Sequence, residues 1–386
     1  MPVVHPALKY SFTSLWSYLE TKAAIKFVNT QRYGDLILYN YSNSCVYEKA
    51  WDEITILARG IIIDPPSDKI IALPFPKFFN YGEMTDQLPD EPFEVTEKLD
   101  GSLICIWHYK GEWHTSTRGS FVSDQAKWAL NWLKRRVDYN NLHPDITYLA
   151  EAVYKENRIV VNYPEFEEGL YLLSAYNRLT GQEIADADTI RSVAGKVGFK
   201  KIAVFDYTFD RLLELAKTLK HDTEGFVVRF ASGLRIKIKG DEYCRIHKLI
   251  SACTPLGVWR ILAAGDSIES VRAKLPEEFK TDFNKLVEIL FGKFEATLAE
   301  INQGVELTKN MTDKELGIDL QWLNTVKLTE VQKRFIFAAR KGELADIKTN
   351  PKHRLLPKIF DTFRPDGNAL EGYEPASAVN RFAETT

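Results

Sequence analysis

The chain has 386 residues, enough for two domains, and its 45% hydrophobic and 27% charged composition is that of a globular protein, not of a disordered or membrane-spanning one. Its net charge of −3 excludes a chain-wide basic field, so any nucleic-acid contact has to use locally grouped cations. No apolar run reaches membrane-spanning length, no secretory pattern opens the chain, and Cys45, Cys105, Cys244 and Cys253 lack CxxC or zinc spacing. The expectation is a cytoplasmic protein with free thiols and no membrane partner.

In chain order, a helix is expected over 14–28 and a strand over 35–40. Leu57–Asp64 is a β-branched strand with Arg59-Gly60 at its mouth, closed by Pro65-Pro66. Pro74–Glu83 is too rich in proline and aromatics for a helix and carries Lys77 as its cation. Lys98 then stands between strand-like Phe93–Val95 and Leu103–Tyr109, and Asp100-Gly101 predicts a tight hairpin turn between them. Alone, Lys98-Leu-Asp-Gly101 reads equally well as an exposed hairpin tip.

Gly111–Ser120 reads as a second hairpin strand ending in Arg118-Gly119, and Ser123 caps a helix through about Tyr139. Tyr148–Val153 is an apolar strand carrying Glu151, a carboxylate that must face a cation, a metal shell or water. Ile159–Tyr163 and Gly169–Tyr176 read as buried strands, and 186–220 as two helices around a strand at 203–207. Glu224 opens the strand to Phe230. In Leu234–Gly240 strict alternation places Leu234, Ile236 and Ile238 on one face and Arg235, Lys237 and Lys239 on the other, as an exposed polar face or an anion site. Beyond Cys253 the texture is helical: Phe279, Phe283, Leu286, Leu290, Phe294 and Leu298 recur at helical intervals, 313–326 and 329–344 follow, and a tail from Pro351 is punctuated by Pro and Gly and expected to be partly disordered.

Arg59, Lys77, Lys98, Arg118, Glu151, Glu224, Lys237 and Lys239 sit mostly at strand ends or on a strand's polar face. Many cations with two carboxylates suit a polyanion and a divalent metal, such as a nucleoside triphosphate with magnesium, although no P-loop is present. Surrounding cations and a bound metal would favour the neutral amine of Lys98, which could attack an α-phosphorus and displace pyrophosphate. Lys237 and Lys239 would steady the charge on the phosphoryl oxygens, with Glu151 and Glu224 holding metal waters or ribose hydroxyls.

The ordered series Lys98-Leu-Asp-Gly101, Ser116-Thr-Arg-Gly119, the Glu151 strand, Glu224-Gly225 and Lys237-Ile-Lys239 resembles the covalent nucleotidyltransferase superfamily of polynucleotide ligases and capping enzymes. Ala58-Arg-Gly-Ile61, Lys77-Phe-Phe-Asn80, Asn157-Arg-Ile-Val160 and Lys237–Tyr243 make it similar to the phage-type RNA ligase 1 family. The resemblance covers residues 35–250 and implies an α+β fold. Antiparallel sheets flanked by helices would form an adenylyltransferase domain (1–252), followed by an all-α domain (253–386) that chooses the RNA.

The resemblance implies Lys98 as the site of covalent AMP, Arg59 and Lys77 at the triphosphate tail, Lys237 and Lys239 at the α-phosphate, and Glu151 and Glu224 at ribose and metal, through water. Phe79, Glu97, Arg118 and Tyr243 are implied members of the nucleotide site, and Asp266 is a candidate for a metal-water contact. Some relatives carry Lys where this chain has Arg118, which keeps the charge and changes the geometry. The implied activity is ATP-dependent joining of 5′-phosphate and 3′-hydroxyl RNA ends with Mg2+ (Mn2+ substituting). The implied role is repair of nicked tRNA, by a monomer working after a polynucleotide kinase-phosphatase, in the host cytoplasm if the gene is viral. A DNA ligase or capping enzyme would follow the fifth motif with a short-stranded barrel, against the helical texture here. An inactive binding module would not need Lys98, Glu224, Lys237 and Lys239 together.

Overall fold

The β-branched and aromatic runs form three largely antiparallel sheets in the computed structural model, which describes residues 3–374 apart from 84–87, 185, 252, 276, 324 and 367–368. The strands are β1 (Val28–Tyr33), β2 (Leu36–Tyr41), β3 (Arg59–Asp64), β4 (Lys69–Ala72), β5 (Phe79–Asn80), β6 (Phe93–Lys98), β7 (Ser102–Tyr109) and β8 (Glu112–Ser116). They continue as β9 (Ile146–Val153), β10 (Gly169–Asn177), β11 (Glu183–Ile184), β12 (Lys200–Lys201), β13 (Val204–Phe205), β14 (Gly225–Phe230) and β15 (Arg235–Lys239). One sheet runs β1-β2-β3-β4, the second β11-β10-β9-β7-β8 with β12 beside β10, and the third β13-β6-β14-β15-β5.

The first two sheets share a core in which Ile61, Ile63 and Tyr39 meet Cys105, Trp107 and Leu149. The other face of the second sheet buries Ala150, Ala152 and Leu172 under helices Asp124–Arg136 and Ala187–Val197. Helix Phe209–Thr218 packs Leu212 and Ala216 on Phe226, Val228, Ile236 and Ile238 of the third sheet. The second sheet is therefore apolar on both faces, and polar residues collect at strand ends and on the uncovered face of β15.

The chain divides into two compact units, Met1–Ile246 and His247–Ala383, with the boundary inside helix Asp241–Ser251. The second unit consists of helices: in Glu277–Leu307 the spaced residues Phe279, Phe283, Leu286, Leu290, Phe294 and Leu298 are all buried. No helix among the described residues is long and apolar enough to cross a membrane. The four cysteines are free thiols, and only Cys244 is exposed.

Four expectations need correction. Asp100-Gly101 is not a hairpin turn, because β6 and β7 lie in different sheets. The turn between them is a crossover, and Asp100 is buried rather than at a tip. Ile159–Tyr163 is not a strand: the Val160 and Val161 amides donate to the Asp100 carboxylate at 2.7 and 2.8 Å instead of to a ladder. The first helix is Phe12–Ala24, capped by Ser11, and Val28 already belongs to β1. Leu234 precedes β15 and is 42% exposed, so only Ile236 and Ile238 keep the apolar face. The tail after Pro351 forms helix Leu356–Phe360, whose Phe360 stacks on Phe294 at 5.2 Å; residues 375–386 lie outside the described residues.

Candidate active site

Three strands bring the centre together. Lys98 ends β6, Gly225 opens β14, and Lys239 ends β15; Gly225 pairs with Lys98 on one side and Lys239 on the other. Glu224 stands just before that row. Its carboxylate takes Lys98 Nζ at 2.7 Å on Oε2 and Lys239 Nζ at 2.9 Å on Oε1. Gly225 is what lets the strands close: at φ +142°, a Cβ there would lie 2.2 Å from the Ile238 carbonyl oxygen. Thr96, Val227, Lys237 and Asn80 form the next row, so Lys237 lies on the same face as Lys239. Arg235 shares that face but is taken by Glu183 at the far end of the strand and sits over the Phe75 ring. The expected cationic face is thus split, with Lys237 and Lys239 at the site and Arg235 in a buried ion pair.

Glu151 projects from β9 opposite Leu103 and pairs with no cation among the described residues, although Lys98 and Arg59 influence it. Burial pushes its carboxyl up to about 7; Lys98 works against the rise and Glu224 adds to it. Asp100 is pushed up to about 6 by burial and by Glu224, against the bonds from Tyr243, Val161 and Val160. Tyr243, from helix Asp241–Ser251, donates its hydroxyl to Asp100 Oδ1 at 2.6 Å, and Lys239 lies 5.3 Å over its ring.

Burial acts to lower the Lys98 pKa, but the Glu224 and Glu151 carboxylates outweigh burial and hold it above the ordinary lysine value. The neighbouring cations by themselves do not favour its neutral amine, because the Glu224, Glu151 and Asp100 carboxylates raise its pKa. Lys237 is the amine so depressed. Burial, then Arg59, Lys98, Lys77 and Lys239, place it well below the ordinary value, and among the described residues no carboxylate pairs with it. Glu224 is held low by Lys98 and Lys239 despite burial, which acts to raise it.

A second group of cations adjoins the first, each laid over an aromatic ring. Arg59 and Lys237 lie 5.3 and 4.7 Å from the Phe78 centroid. Lys77 lies between Phe79 at 4.7 Å and Trp51 at 5.4 Å, and Arg118 lies over Tyr41 at 5.0 Å. Arg118 Nη1 donates to the Tyr41 hydroxyl at 2.5 Å. Burial acts to raise the Tyr41 pKa, but Arg118, Arg59 and Lys77 outweigh it and lower the value. Arg59 Nη1 is buried with no hydrogen-bond partner among the described residues, a donor suited to an anionic oxygen. Gly60, at φ +97°, lets β3 run against Arg118, whose Cα a Cβ at Gly60 would meet at 2.8 Å.

Lys98, Lys237, Lys239, Glu151, Glu224, Arg59, Lys77, Arg118, Phe79 and Tyr243 thus fall in one connected region of the first unit. Glu97 does not join them: on β6 it faces away from Lys98, and its carboxyl is raised by burial and by Glu167. Asp266 belongs to the second unit and pairs with Lys352 at 3.4 Å. Sequence reasoning missed Tyr41, Trp51 and Phe78, aromatics that read as ordinary core. It also missed the roles of Asp100 and Asn157, which lie inside motifs already singled out, and of Tyr163, which ends the run expected to be a strand.

Antiparallel sheets thus align Lys98, Glu224-Gly225 and Lys239 around one polar site. Residues 57–243 match the family model described as RNA ligase. The chain is 26% identical over 347 residues to the "Putative bifunctional polynucleotide kinase/RNA ligase" of Autographa californica nuclear polyhedrosis virus, covering 82% of this chain and 46% of that one. It is 24% identical over 293 residues to the RNA ligase of Rhodothermus phage RM378, covering 58% of this chain and 66% of the relative. The chain therefore spans about half of the first relative's length and about two thirds of the second's. Among solved structures it is similar to an archaeal ATP-dependent RNA ligase, at TM-score 0.49 and 16% identity, covering 72% of this chain and 79% of that one.

Proposed function

We propose that the protein is an ATP-dependent RNA ligase that joins a 5′-phosphate end to a 3′-hydroxyl end, with Lys98 as nucleophile. The observation that carries this reading is the Lys98–Glu224–Lys239 arrangement inside the RNA ligase segment. In the first step deprotonated Lys98 Nζ attacks the α-phosphorus of ATP. An N–P bond forms, the P–O bond to the β-phosphate breaks, pyrophosphate leaves with the bonding electrons, and the nitrogen's surplus proton passes to solvent. AMP then moves to the RNA 5′-phosphate and frees Lys98. The 3′-hydroxyl attacks that end, closes the phosphodiester and expels AMP.

Lys237 and Lys239 are placed to meet the α-phosphoryl oxygens. Arg59, Lys77 and Arg118, with aromatic rings behind them, are suited to the β- and γ-phosphates. Glu224 holds the Lys98 ammonium until the nucleotide takes over Lys239 and the ribose takes over the carboxylate.

Glu151, raised toward neutrality and unpaired, is an oxygen donor suited to a hard divalent cation such as Mg2+, or Mn2+ in its stead. Among the described residues no group of three or more His, Cys, Asp or Glu could hold a metal ion, so contact from Glu151 and Glu224 would run through water. When bound, the metal supplies positive charge that offsets the phosphates and favours the neutral amine.

Residues 1–252 would form the adenylyltransferase and 253–386 the module that chooses the RNA, with nicked tRNA as the expected target. The relative that joins a kinase and a ligase by name supports an end-healing activity working before this one. The helices that make up the second unit speak against the DNA-ligase and capping readings, which would place a short-stranded barrel there. The test is ligation of a 5′-phosphorylated RNA oligonucleotide beside a DNA oligonucleotide of the same sequence, with ATP or GTP. Circular or joined RNA with ATP alone is expected; GTP-dependent product or DNA-only joining would overturn the reading.

A further inference from the structure

The segment 154–163 has no part in the chemistry above, yet it grips the turn that carries Lys98. That turn crosses from β6 in one sheet to β7 in another, so no ladder of its own fixes it. We infer that Asn157 and Tyr163 are positioning residues that hold the Leu99–Ser102 turn, and with it Lys98, in place for attack; the inference rests on the ligase reading.

The Asp100 amide donates to the Tyr163 hydroxyl oxygen at 2.9 Å. Ser102 Oγ donates to Asn157 Oδ1 at 3.0 Å, and Asn157 Nδ2 donates to the Ala152 carbonyl at 2.9 Å. That carbonyl is the atom a Cβ at Gly101 would meet at 2.4 Å, so Asn157 spans the two walls between which Gly101 is pressed. Asn157 is 2% exposed, and a buried amide with both ends bonded has one orientation. Leu99 packs with Val153 and Ile202, and Tyr163 lies against the same group. Every residue from Leu99 to Ser102 is therefore held from outside the turn, and Tyr163 and Asn157 supply two of the side-chain bonds that brace it, beside the Tyr243 hydroxyl on Asp100. A nucleophile displaced by about 1 Å loses on the order of 100-fold in rate, so such bracing matters where Lys98 attacks. It matters little where Lys98 does not attack, as in sealing an RNA that already carries AMP.

The experiment compares wild type, Tyr163→Phe and Asn157→Asp in two single-turnover reactions. One is AMP adduct formation at a series of ATP concentrations, and the other is sealing of a synthetic 5′-adenylylated RNA with Mg2+. Tyr163→Phe deletes one hydroxyl, and Asn157→Asp keeps the acceptor for Ser102 while losing the donor to Ala152. The expected result is an adduct rate at saturating ATP lowered about tenfold or more, with half-saturating ATP and the sealing rate each within about twofold of wild type. An unchanged adduct rate in both variants overturns the inference, as does a parallel fall in both reactions, which marks a general structural role. Wild type forming no adduct at all would instead remove the ligase reading on which the inference rests.

Discussion

Lys98 Nζ and Glu224 Oε2 lie 2.7 Å apart, and the same carboxylate holds Lys239 through its other oxygen at 2.9 Å. One carboxylate thus pairs with two ammonium groups, in a region where Lys237 and Arg59 add more positive charge. Replacing Glu224 by Gln leaves both lysines without their counter-ion. Glu224→Gln is expected to destabilise the fold by about 2 kcal/mol, less than a fully buried pair because both lysines keep some solvent, and to lose adduct formation. Urea unfolding beside Lys98→Ala checks this: Lys98→Ala leaves Glu224 paired with Lys239 and should shift the midpoint less.

Glu151 and Asp100 give a second prediction, in pH. Their carboxyls sit at about 7 and about 6 in the fold, raised by burial, against about 4 in an unfolded chain. Between those values the fold keeps protons the unfolded chain has released. Their contribution to stability is therefore full below about pH 4 and is lost as pH rises through 6 to 7. Glu224 runs the other way: held low by its lysines, it contributes above about pH 4 and loses that contribution as pH falls below it. Glu151→Gln is expected to flatten the decline between pH 5 and pH 7 by about 1–2 kcal/mol, read from urea midpoints at the two pH values. An equally steep decline in the variant would mean that Glu151 does not titrate there.

Asp100 also marks the line between what the sequence makes legible and what it does not. The motif series and alternation on β15 locate Lys98, Glu224, Lys237 and Lys239, because strand periodicity is local. The role of Asp100 is not local. Asp-Gly is a turn signal, but here the two strands beside it join different sheets, and the side chain accepts from Val160, Val161 and Tyr243, 60 or more residues away. The same bonds explain why Ile159–Tyr163, apolar and β-branched, is not a strand: its amides are already committed. Arg235 has the alternation of a site residue and is diverted by Glu183 from a distant strand. Tyr41 and Trp51 carry no sequence signal, since an aromatic under a cation reads as any core aromatic.

Gly225 provides a third prediction. Its missing Cβ lets β6, β14 and β15 close, and the positive φ adds strain for any other residue. Gly225→Ala is expected to cost about 2–3 kcal/mol and to part Lys98 from Lys239. Thermal unfolding checks the first effect and adduct formation the second; a variant with wild-type stability and wild-type adduct rate would show that the row tolerates spreading.

Tyr41 gives a fourth. Its hydroxyl accepts from Arg118 at 2.5 Å in a nest that also holds Arg59 and Lys77. Tyr41→Phe removes the acceptor of Arg118 Nη1 and an oxygen whose field is shared by Arg118, Arg59 and Lys77. The ATP concentration for half-maximal adduct formation is expected to rise several-fold, about 1 kcal/mol of lost positioning, with the rate at saturation changed much less. A variant whose saturating rate falls while half-saturation holds would place Tyr41 in the chemical step instead.

The central claim is that Lys98 carries AMP, and the direct measurement is the intact mass of the protein after incubation with ATP and Mg2+, beside GTP and beside Lys98→Ala. The starting mass shows whether the protein is already adenylylated. The account predicts a gain of one AMP with ATP alone, removed by pyrophosphate and absent in Lys98→Ala. An adduct that survives in Lys98→Ala, or no adduct on an unmodified starting protein with either nucleotide, would contradict it.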